Sequence, residues 1–348
     1  MDLRGNDYMT VVPLSDITLE SKVAFLRLPS SFPEPTYRIE TVETHMSWVF
    51  LTENFAYKLK KPVCYMPLDF RTLESRQFYC EEEVRLNRRL AAGIYLGVKA
   101  LTVDAQHHLH LDGPGIPIDW LVKMRRLPAN QMLDYAIRTG KASDRDMEAI
   151  AARLAVFYRE CDHVEIDPMQ YRDRLWNNLT AYRQELTDPA YQLSSRLVDR
   201  IASVLEDILE NDGPLFDERV AGKHIVEGHG DLRPEHVCLR PNLAIIDCLE
   251  FSHELRITDT ADELAFLALE CARLGSAGLG LKMLDSFSQI SGDLIPEKLV
   301  RFYQTYRALL RAAIAIRHLK EEKFRYSPHW RQRAKEYLAL AERRIEGR

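Results

Sequence analysis

The pattern of hydrophobic and polar positions changes about a third of the way along the chain. The stretch 47–61 contains two short runs of alternating apolar and polar residues on either side of Thr52-Glu53-Asn54. Alternation with a period of two is typical of half-buried strands, so this stretch predicts two strands and a turn. The segment 73–92 repeats its apolar residues every three to four positions and predicts one helix. Alternation returns over 107–127 and predicts more strand.

Helical periodicity dominates the rest of the chain, most clearly over 130–210 and again from residue 260 onwards. Thr260 and Glu263 match a capping box at the start of a helix that Gly275 should end. The elements predict an α+β chain. The predicted division is an N-terminal unit of residues 1–126 and a larger, mainly helical unit of residues 127–348.

Composition narrows the possible partners and the cellular compartment of the protein. The chain has 348 residues, of which 46% are hydrophobic and 28% charged, and its net charge of −5 argues against a nucleic-acid partner. No run of 18 apolar residues is present, and the first ten residues lack the apolar centre of a signal peptide, so no membrane association is expected. Six scattered cysteines without a CxxC pair predict free thiols in a cytoplasmic protein.

The most concentrated polar chemistry lies in the sequence HGDLRPEH, residues 229–236. Two short apolar runs around Pro241-Asn242 follow it and predict a hairpin, which should bring Asp247 back beside Asp231 and His236. Two carboxylates in one space repel each other unless a cation or a proton lies between them. A magnesium ion holding phosphate oxygens would supply that cation, and the second carboxylate would accept a proton from a hydroxyl group.

This loop and the Ile-Ile-Asp that ends at Asp247 resemble the catalytic loop and metal aspartate of the aminoglycoside phosphotransferase-like kinases, in particular an uncharacterised bacterial branch. By this resemblance Asp231 is the catalytic base and Asp247 is the metal ligand. His236 occupies the position where the family usually has asparagine, and it is assigned to the metal by position. The resemblance implies ATP with Mg²⁺ as cofactors, or Mn²⁺ in view of the imidazole of His236.

The predicted strand Phe55–Lys60 contains a second part of the resemblance. Its tetrad Phe-Ala-Tyr-Lys is similar to the kinase Val-Ala-Ile-Lys, in which the lysine meets the nucleotide phosphates and the alanine lies near adenine. Strand alternation places Ala56, Lys58 and Lys60 on one face. By this resemblance Lys58 is the predicted phosphate-binding lysine, with Lys60 as the fallback, and Ala56 is a predicted neighbour of adenine.

The acidic partner of Lys58 should come from the following helix. Glu83 shares a helical face with apolar residues, unlike Glu81, and is chosen ahead of Glu82. Two further positions follow from the order of elements in the family: Ser47, in the turn 44–47 that would cover the nucleotide, and Met124, near the crossing to the helical unit.

The resemblance implies a bilobal protein-kinase-like fold, with a small antiparallel-sheet N-lobe containing one helix and a larger helical C-lobe. It also implies an ATP-dependent phosphotransferase that moves the γ-phosphoryl group to a hydroxyl of a small-molecule acceptor. A nucleotide-binding pseudokinase with a regulatory or partner-binding role is one alternative. A hydrolase built on a transition metal is the other; its candidate ligands are His224, His229, Asp231 and His236.

Overall fold

The computed structural model of the protein describes residues 17–65, 68–320, 324–325 and 327–347. They form two compact units. The first consists of Met1–Pro128 and Ala244–Ser252, as far as these are described, and the second of Ala129–Leu243 and His253–Arg348. The chain leaves the first unit at Pro128 and returns to it over Ala244–Ser252. The short segment Ala244–Ser252, predicted with the helical unit, groups with the first one.

The first unit is built on an antiparallel sheet. In chain order its strands are β1 Glu40–Glu43, β2 Ser47–Leu51, β3 Phe55–Lys60, β4 Cys64–Tyr65, β5 Leu68–Asp69, β6 Tyr95–Val103, β7 Leu109–Leu111 and β8 Ile116–Arg125. Six of them form one sheet in the order β1-β2-β3-β8-β6-β7, and β4 pairs with β5 separately. The two strands predicted around Thr52-Glu53-Asn54 are β2 and β3.

Strand β3 separates apolar from charged side chains. Tyr57 and Leu59 are fully buried in the apolar core of the first unit. A short helix, α1 Leu19–Leu26, contributes Val23 and Leu26 to the same core, and the Thr18 hydroxyl accepts a hydrogen bond from the Ser21 N–H at its start. This helix lies in a segment for which the sequence pattern predicts none. The alternation leaves the lysines of β3 on the opposite face.

Helix α2, Leu73–Ala91, covers that opposite face by packing on β6 and β8. It begins at Thr72, whose hydroxyl accepts a hydrogen bond from the Ser75 N–H at 3.1 Å. Its buried side includes Glu83 and Asn87, one helical turn apart. The predicted helix is therefore present with nearly the predicted bounds, and it presents a carboxylate to the lysines of β3.

The second unit is mainly helical. Its helices are α3 Leu133–Arg138, α4 Asp144–Glu160, α5 Pro168–Leu186, α6 Ser195–Asn211, α7 Pro214–Ala221, α8 His253–Arg256, α9 Thr260–Arg273, α10 Ala277–Ser291, α11 Glu297–Arg317 and α12 Pro328–Ile345. The later strands are β9 Ile225–Glu227, β10 Val237–Cys238, β11 Ala244–Ile245 and β12 Ile257–Asp259, of which β11 belongs to the first unit. Both strands of the predicted hairpin, β10 and β11, are present. Among the described residues no helix is long and apolar enough to cross a membrane.

Helix α9 begins differently from the prediction. Asp259 is its N-cap and accepts a hydrogen bond from the Ala261 N–H at 2.9 Å, so the capping box of Thr260 and Glu263 is wrong. Asp259 already has a neighbour that favours this position, because it forms a buried ion pair with Arg219 at 2.9 Å. The carboxylate of Glu263 turns to the loop at residue 229 instead.

A second buried ion pair fixes α9 to α11. Arg307 donates two hydrogen bonds of 2.7 Å to the two carboxylate oxygens of Asp262. A bidentate contact of this kind fixes the relative orientation of the two side chains. Because both charges are buried, removal of either residue would leave the other without a counterion. The first turn of α9 is thereby tied to the middle of α11.

Candidate functional site

In the first unit, Lys58 on β3 contacts two carboxylates. Its ammonium donates to Glu83 Oε1 at 2.9 Å and to Asp247 Oδ1 at 3.0 Å. The alternative acid, Glu82, pairs with Arg85 on the helix surface instead. Burial by itself would lower the pKa of Lys58, but the charges of Asp247 and Glu83 raise it well above its ordinary value. Lys58 is thus a fixed cation between two anions.

Lys60 forms a second contact with the same glutamate. Its ammonium is fully buried and donates to Glu83 Oε2 at 2.6 Å and also to Glu250. Burial opposes ionisation of Glu83, yet Lys58 and Lys60 together hold the pKa of this carboxyl below its ordinary value. Glu83 is therefore held from both sides, each oxygen by its own lysine.

Asp247 lies in a segment that helix α2 and strand β6 hold in place. Its N–H donates to the Tyr95 hydroxyl at 3.1 Å, and the next N–H, of Cys248, donates to Asn87 Oδ1 at 2.9 Å. The backbone of Asp247 is left-handed, with φ of 62°, which aspartate tolerates better than most residues. Its carboxylate is 47% exposed.

The other residues predicted to bind the nucleotide lie on the same sheet. Ala56 on β3 faces Met124 on β8 as a cross-strand partner, and Ser47 on β2 faces Lys60. Ser47 is 2% exposed, and its N–H is donated to the hydroxyl of Thr44 in the preceding turn. The structure therefore brings Ala56 and Met124 side by side and buries Ser47.

In the second unit, the loop that contains Asp231 is fixed through its backbone. The N–H of His229 donates to Glu263 Oε2 at 3.1 Å, and the N–H of Gly230 donates to Oε1 of the same carboxylate. Gly230 has φ of 85°, a conformation that favours glycine. Burial raises the pKa of Glu263 although these N–H groups and the Tyr158 hydroxyl oppose the shift.

Asp231 itself is surrounded by cations. Arg233 donates to Oδ2 through Nε at 3.0 Å, and its Nη2 lies 2.9 Å from the same oxygen. Arg311 Nη1 lies 3.8 Å from Oδ1. Burial would raise the pKa of Asp231, but Arg233, His236 and Arg311 lower it to about 2. This carboxylate is ionised at any pH at which the protein would work.

His236 was predicted as a metal ligand, and both of its ring nitrogens already have protein partners. Nδ1 lies 2.9 Å from the Asp231 carbonyl oxygen, and Nε2 lies 3.0 Å from Arg233 Nη2. An arginine can only donate, so Nε2 accepts and Nδ1 carries the proton. A metal ion at Nε2 would have to displace Arg233. His236 therefore does not fit a metal in this arrangement, whereas the carboxylate of Asp247 is of the oxygen-donor type that magnesium prefers.

The hydrolase alternative requires several metal ligands in one place. Within the described ranges, no group of three or more histidine, cysteine or acidic side chains is arranged to hold a metal ion. His224, one of the proposed ligands, instead lies 3.3 Å from Asp293. The transition-metal hydrolase is therefore not supported.

Sequence patterns missed several residues of these clusters. Lys60 was predicted only as the fallback for Lys58, and the sequence did not indicate its contacts with Glu83 and Glu250. The role of Asn87 was signalled only by its place one turn after Glu83. Arg311 carried no signal at all, because it approaches Asp231 from a helix distant in sequence.

No family model matches the chain. An uncharacterized protein of Mycobacterium tuberculosis is 34% identical over 281 residues, which cover 79% of this chain and 54% of the relative. A Mycobacterium bovis protein, also uncharacterized, matches to the same extent. The chain therefore spans about half the length of the curated relatives that it matches.

Solved structures resemble the whole described fold. A choline/ethanolamine kinase family protein from Mesorhizobium loti superposes with a TM-score of 0.55 at 14% identity, covering 94% of this chain and 95% of that one. The GDP complex of aminoglycoside 2'-phosphotransferase-IIIa gives 0.52 at 14% identity over 94% and 99%. The AMP-bound spectinomycin phosphotransferase gives 0.52 at 10% identity over 92% and 98%. The chain thus has the protein-kinase-like fold that aminoglycoside phosphotransferases and choline/ethanolamine kinases share.

Proposed function

We propose that the protein is an ATP-dependent phosphotransferase that acts on a hydroxyl group of a small molecule. The observation that carries this proposal is the contact of Lys58 with both Glu83 and Asp247. A lysine held by a helix glutamate is the kinase arrangement for binding nucleotide phosphates. The AMP-bound spectinomycin phosphotransferase, which shares this fold, supports ATP as the phosphoryl donor. The free thiols of all six cysteines support a cytoplasmic location.

In the proposed reaction, Asp231 orients the acceptor hydroxyl and accepts its proton. The hydroxyl oxygen forms a bond to the γ-phosphorus of ATP, the bond between that phosphorus and the β,γ-bridging oxygen breaks, and ADP leaves. Lys58 binds the phosphates while Glu83 keeps the lysine in place. Asp247 would hold magnesium, which neutralises charge on the phosphates when bound.

The pseudokinase alternative has a specific observation in its favour. Arg233 occupies Asp231 with two nitrogen atoms and also engages His236. An aspartate bound in this way is a poor acceptor of a hydroxyl proton, because its pKa of about 2 gives little driving force for proton transfer. A chain that binds nucleotide without transferring phosphate would show this geometry.

The test is a thermal shift with ATP, with and without Mg²⁺, on wild type and Asp247→Asn. A nucleotide at about 100 times its Kd adds about 2.7 kcal/mol to stability, which such an assay detects easily. Asp112→Asn is a closely matched control, because Asp112 has φ of 59°, lies 2.5 Å from Lys99 and is 46% exposed. We expect a metal-dependent shift in wild type and the control that Asp247→Asn loses.

Each result decides between the proposals. Absence of any shift with ATP in wild type would reject both the ATP-dependent phosphotransferase and an ATP-binding pseudokinase. A shift without ADP production across a set of alcohol acceptors would favour the pseudokinase. A shift that survives in Asp247→Asn would remove Asp247 from the nucleotide site.

A further inference from the structure

A cavity of about 200 Å³ opens in the second unit beside the loop that contains Asp231. Loop 229–236 and helices α9, α11 and α12 all contribute to its wall. The side chains that define its chemistry are Arg233, Arg273, Arg311, Arg333, Glu235 and Trp330. Four arginines and one glutamate give the cavity a predominantly cationic wall.

Two of these arginines are already neutralised. Arg273 contacts Glu270 Oε2 at 2.6 Å and Glu235 Oε1 at 3.0 Å. Arg233 is occupied by Asp231. These contacts fix the walls of the cavity, and they leave the charge of the other two arginines to be explained.

Among the described residues, Arg311 has no carboxylate within hydrogen-bonding distance. Its guanidinium lies 5.8 Å from the centre of the Tyr337 ring, and the Tyr337 hydroxyl is itself tied to Glu270 at 2.7 Å. The Nε of Arg311 is buried and has no hydrogen-bond partner among the described residues. The contact of Arg311 with Asp231, at 3.8 Å, is too long for a hydrogen bond.

Arg333 is also only weakly paired with a carboxylate. Its contact with Glu336 is 3.6 Å long and lies toward solvent, where such a pair contributes little. Both arginines line the same small space. Guanidinium groups bind phosphate and carboxylate through paired N–H donors. Two weakly paired arginines in one cavity therefore favour the binding of an anion there.

Glu235 adds a complementary group. Its Oε1 accepts from Arg273, but its Oε2 is buried without a hydrogen-bond partner among the described residues. A carboxylate oxygen in this state can accept a hydrogen bond from a hydroxyl group. The cavity therefore offers donors for an anion and an acceptor for an alcohol within a space that suits a molecule smaller than a typical drug.

We propose that this cavity binds the anionic end of the phosphoryl acceptor, which would be a small hydroxyl-bearing phosphate or carboxylate, with Arg311 as its main ligand. The proposal rests on the proposed function, since it takes Asp231 as the residue that receives the hydroxyl. Arg311 lines the cavity and also lies 3.8 Å from Asp231, so an anion bound to Arg311 would be near that carboxylate.

The experiment measures binding by isothermal titration calorimetry, with glycerol 3-phosphate and glycerate as anionic probes and glycerol and ethanolamine as neutral and cationic ones. The variants are Arg311→Gln and, on the same helix, Arg301→Gln as a control. Arg301 is 47% exposed and pairs only with Glu297 among the described residues. We expect at least one anion to bind wild type and the control, with Arg311→Gln at least tenfold weaker. The stronger of the two anions identifies phosphate or carboxylate.

Equal anion binding by wild type and Arg311→Gln would overturn the proposal, as would binding of ethanolamine without either anion. Arg333→Gln, at a more exposed wall, replaces Arg311→Gln if that variant does not fold. ATP binding is measured on the same samples. Loss of anion binding in Arg311→Gln with normal ATP binding supports both proposals. Anion binding in a wild type that never binds ATP would reject the phosphotransferase and the acceptor role, and leave an anion site.

Discussion

Replacement of Glu83 by glutamine tests the central contact of the first unit. Glu83 is fully buried and each of its oxygens receives a different lysine, Lys58 at 2.9 Å and Lys60 at 2.6 Å. Glutamine has nearly the same shape but no charge, and its amide nitrogen is a donor that faces a lysine ammonium. The variant therefore removes the anion while leaving two buried cations in place.

The expected loss in the free energy of unfolding depends on which carboxylates each lysine still contacts in the variant. Removal of one partner of a buried ion pair costs about 3–5 kcal/mol. Lys58 retains Asp247, and Lys60 retains Glu250, whose side chain is 9% exposed. These remaining anions place the cost at the lower end, about 3 kcal/mol. For a unit of this size that corresponds to a fall in Tm of roughly 10 °C.

The assay is thermal and urea unfolding of Glu83→Gln beside Glu81→Gln, a substitution on the exposed side of the same helix. The pKa of Glu83 lies below the ordinary 4.5, so its contribution is complete above that pH and is lost as the pH falls through the lowered pKa. The difference between the variant and wild type should therefore shrink in acid. A loss under about 0.5 kcal/mol at pH 7, equal to that of Glu81→Gln, would refute the reasoning.

Three further outcomes are expected. Asp231→Asn should keep the ATP-induced rise in Tm and lower turnover roughly 10²–10⁴-fold, and undiminished turnover in a steady-state assay would contradict its role as a base. The pKa of Asp231 is lowered from 3.8 to about 2, so the carboxylate stays ionised down to that range and kcat/KM should show no acid limb from Asp231 between pH 5 and 8; a limb near pH 6 that disappears in Asp231→Asn would argue otherwise. Arg307→Met, which leaves Asp262 buried without its bidentate partner, should cost about 3–5 kcal/mol in urea unfolding, against under about 0.5 for the exposed Arg317→Met.

The fold class was predictable because its signals are local. Alternation in β2 and β3 and helical periodicity in α2 each concern neighbouring residues, and the elements appear where the patterns indicate. The contact of Lys58 with Glu83 follows from the same periodicities, which place one residue on a defined strand face and the other on a defined helix face. Their roles toward a nucleotide remain proposals.

Other features depend on contacts that no local pattern contains. Glu263 matched a capping box, but its buried carboxylate instead accepts hydrogen bonds from the backbone N–H groups of His229 and Gly230. The arrangement of Arg233 and Arg311 around Asp231 joins a loop to a helix far along the chain. His236 was assigned from its position in a motif, and the arginine beside it determines what its imidazole can do.

The hydrogen bonds that the loop donates to Glu263 also limit the substitutions that this part of the protein can accept. A Cβ atom placed on Gly228 would lie 2.6 Å from Glu263 Oε2, so even a methyl group at residue 228 displaces that carboxylate. A shorter side chain at residue 263 would make room, but it would also remove the acceptor of the His229 and Gly230 N–H groups. A substitution at residue 228 must therefore be combined with a change at residue 263, because on its own it displaces the carboxylate that accepts the backbone N–H groups next to Asp231.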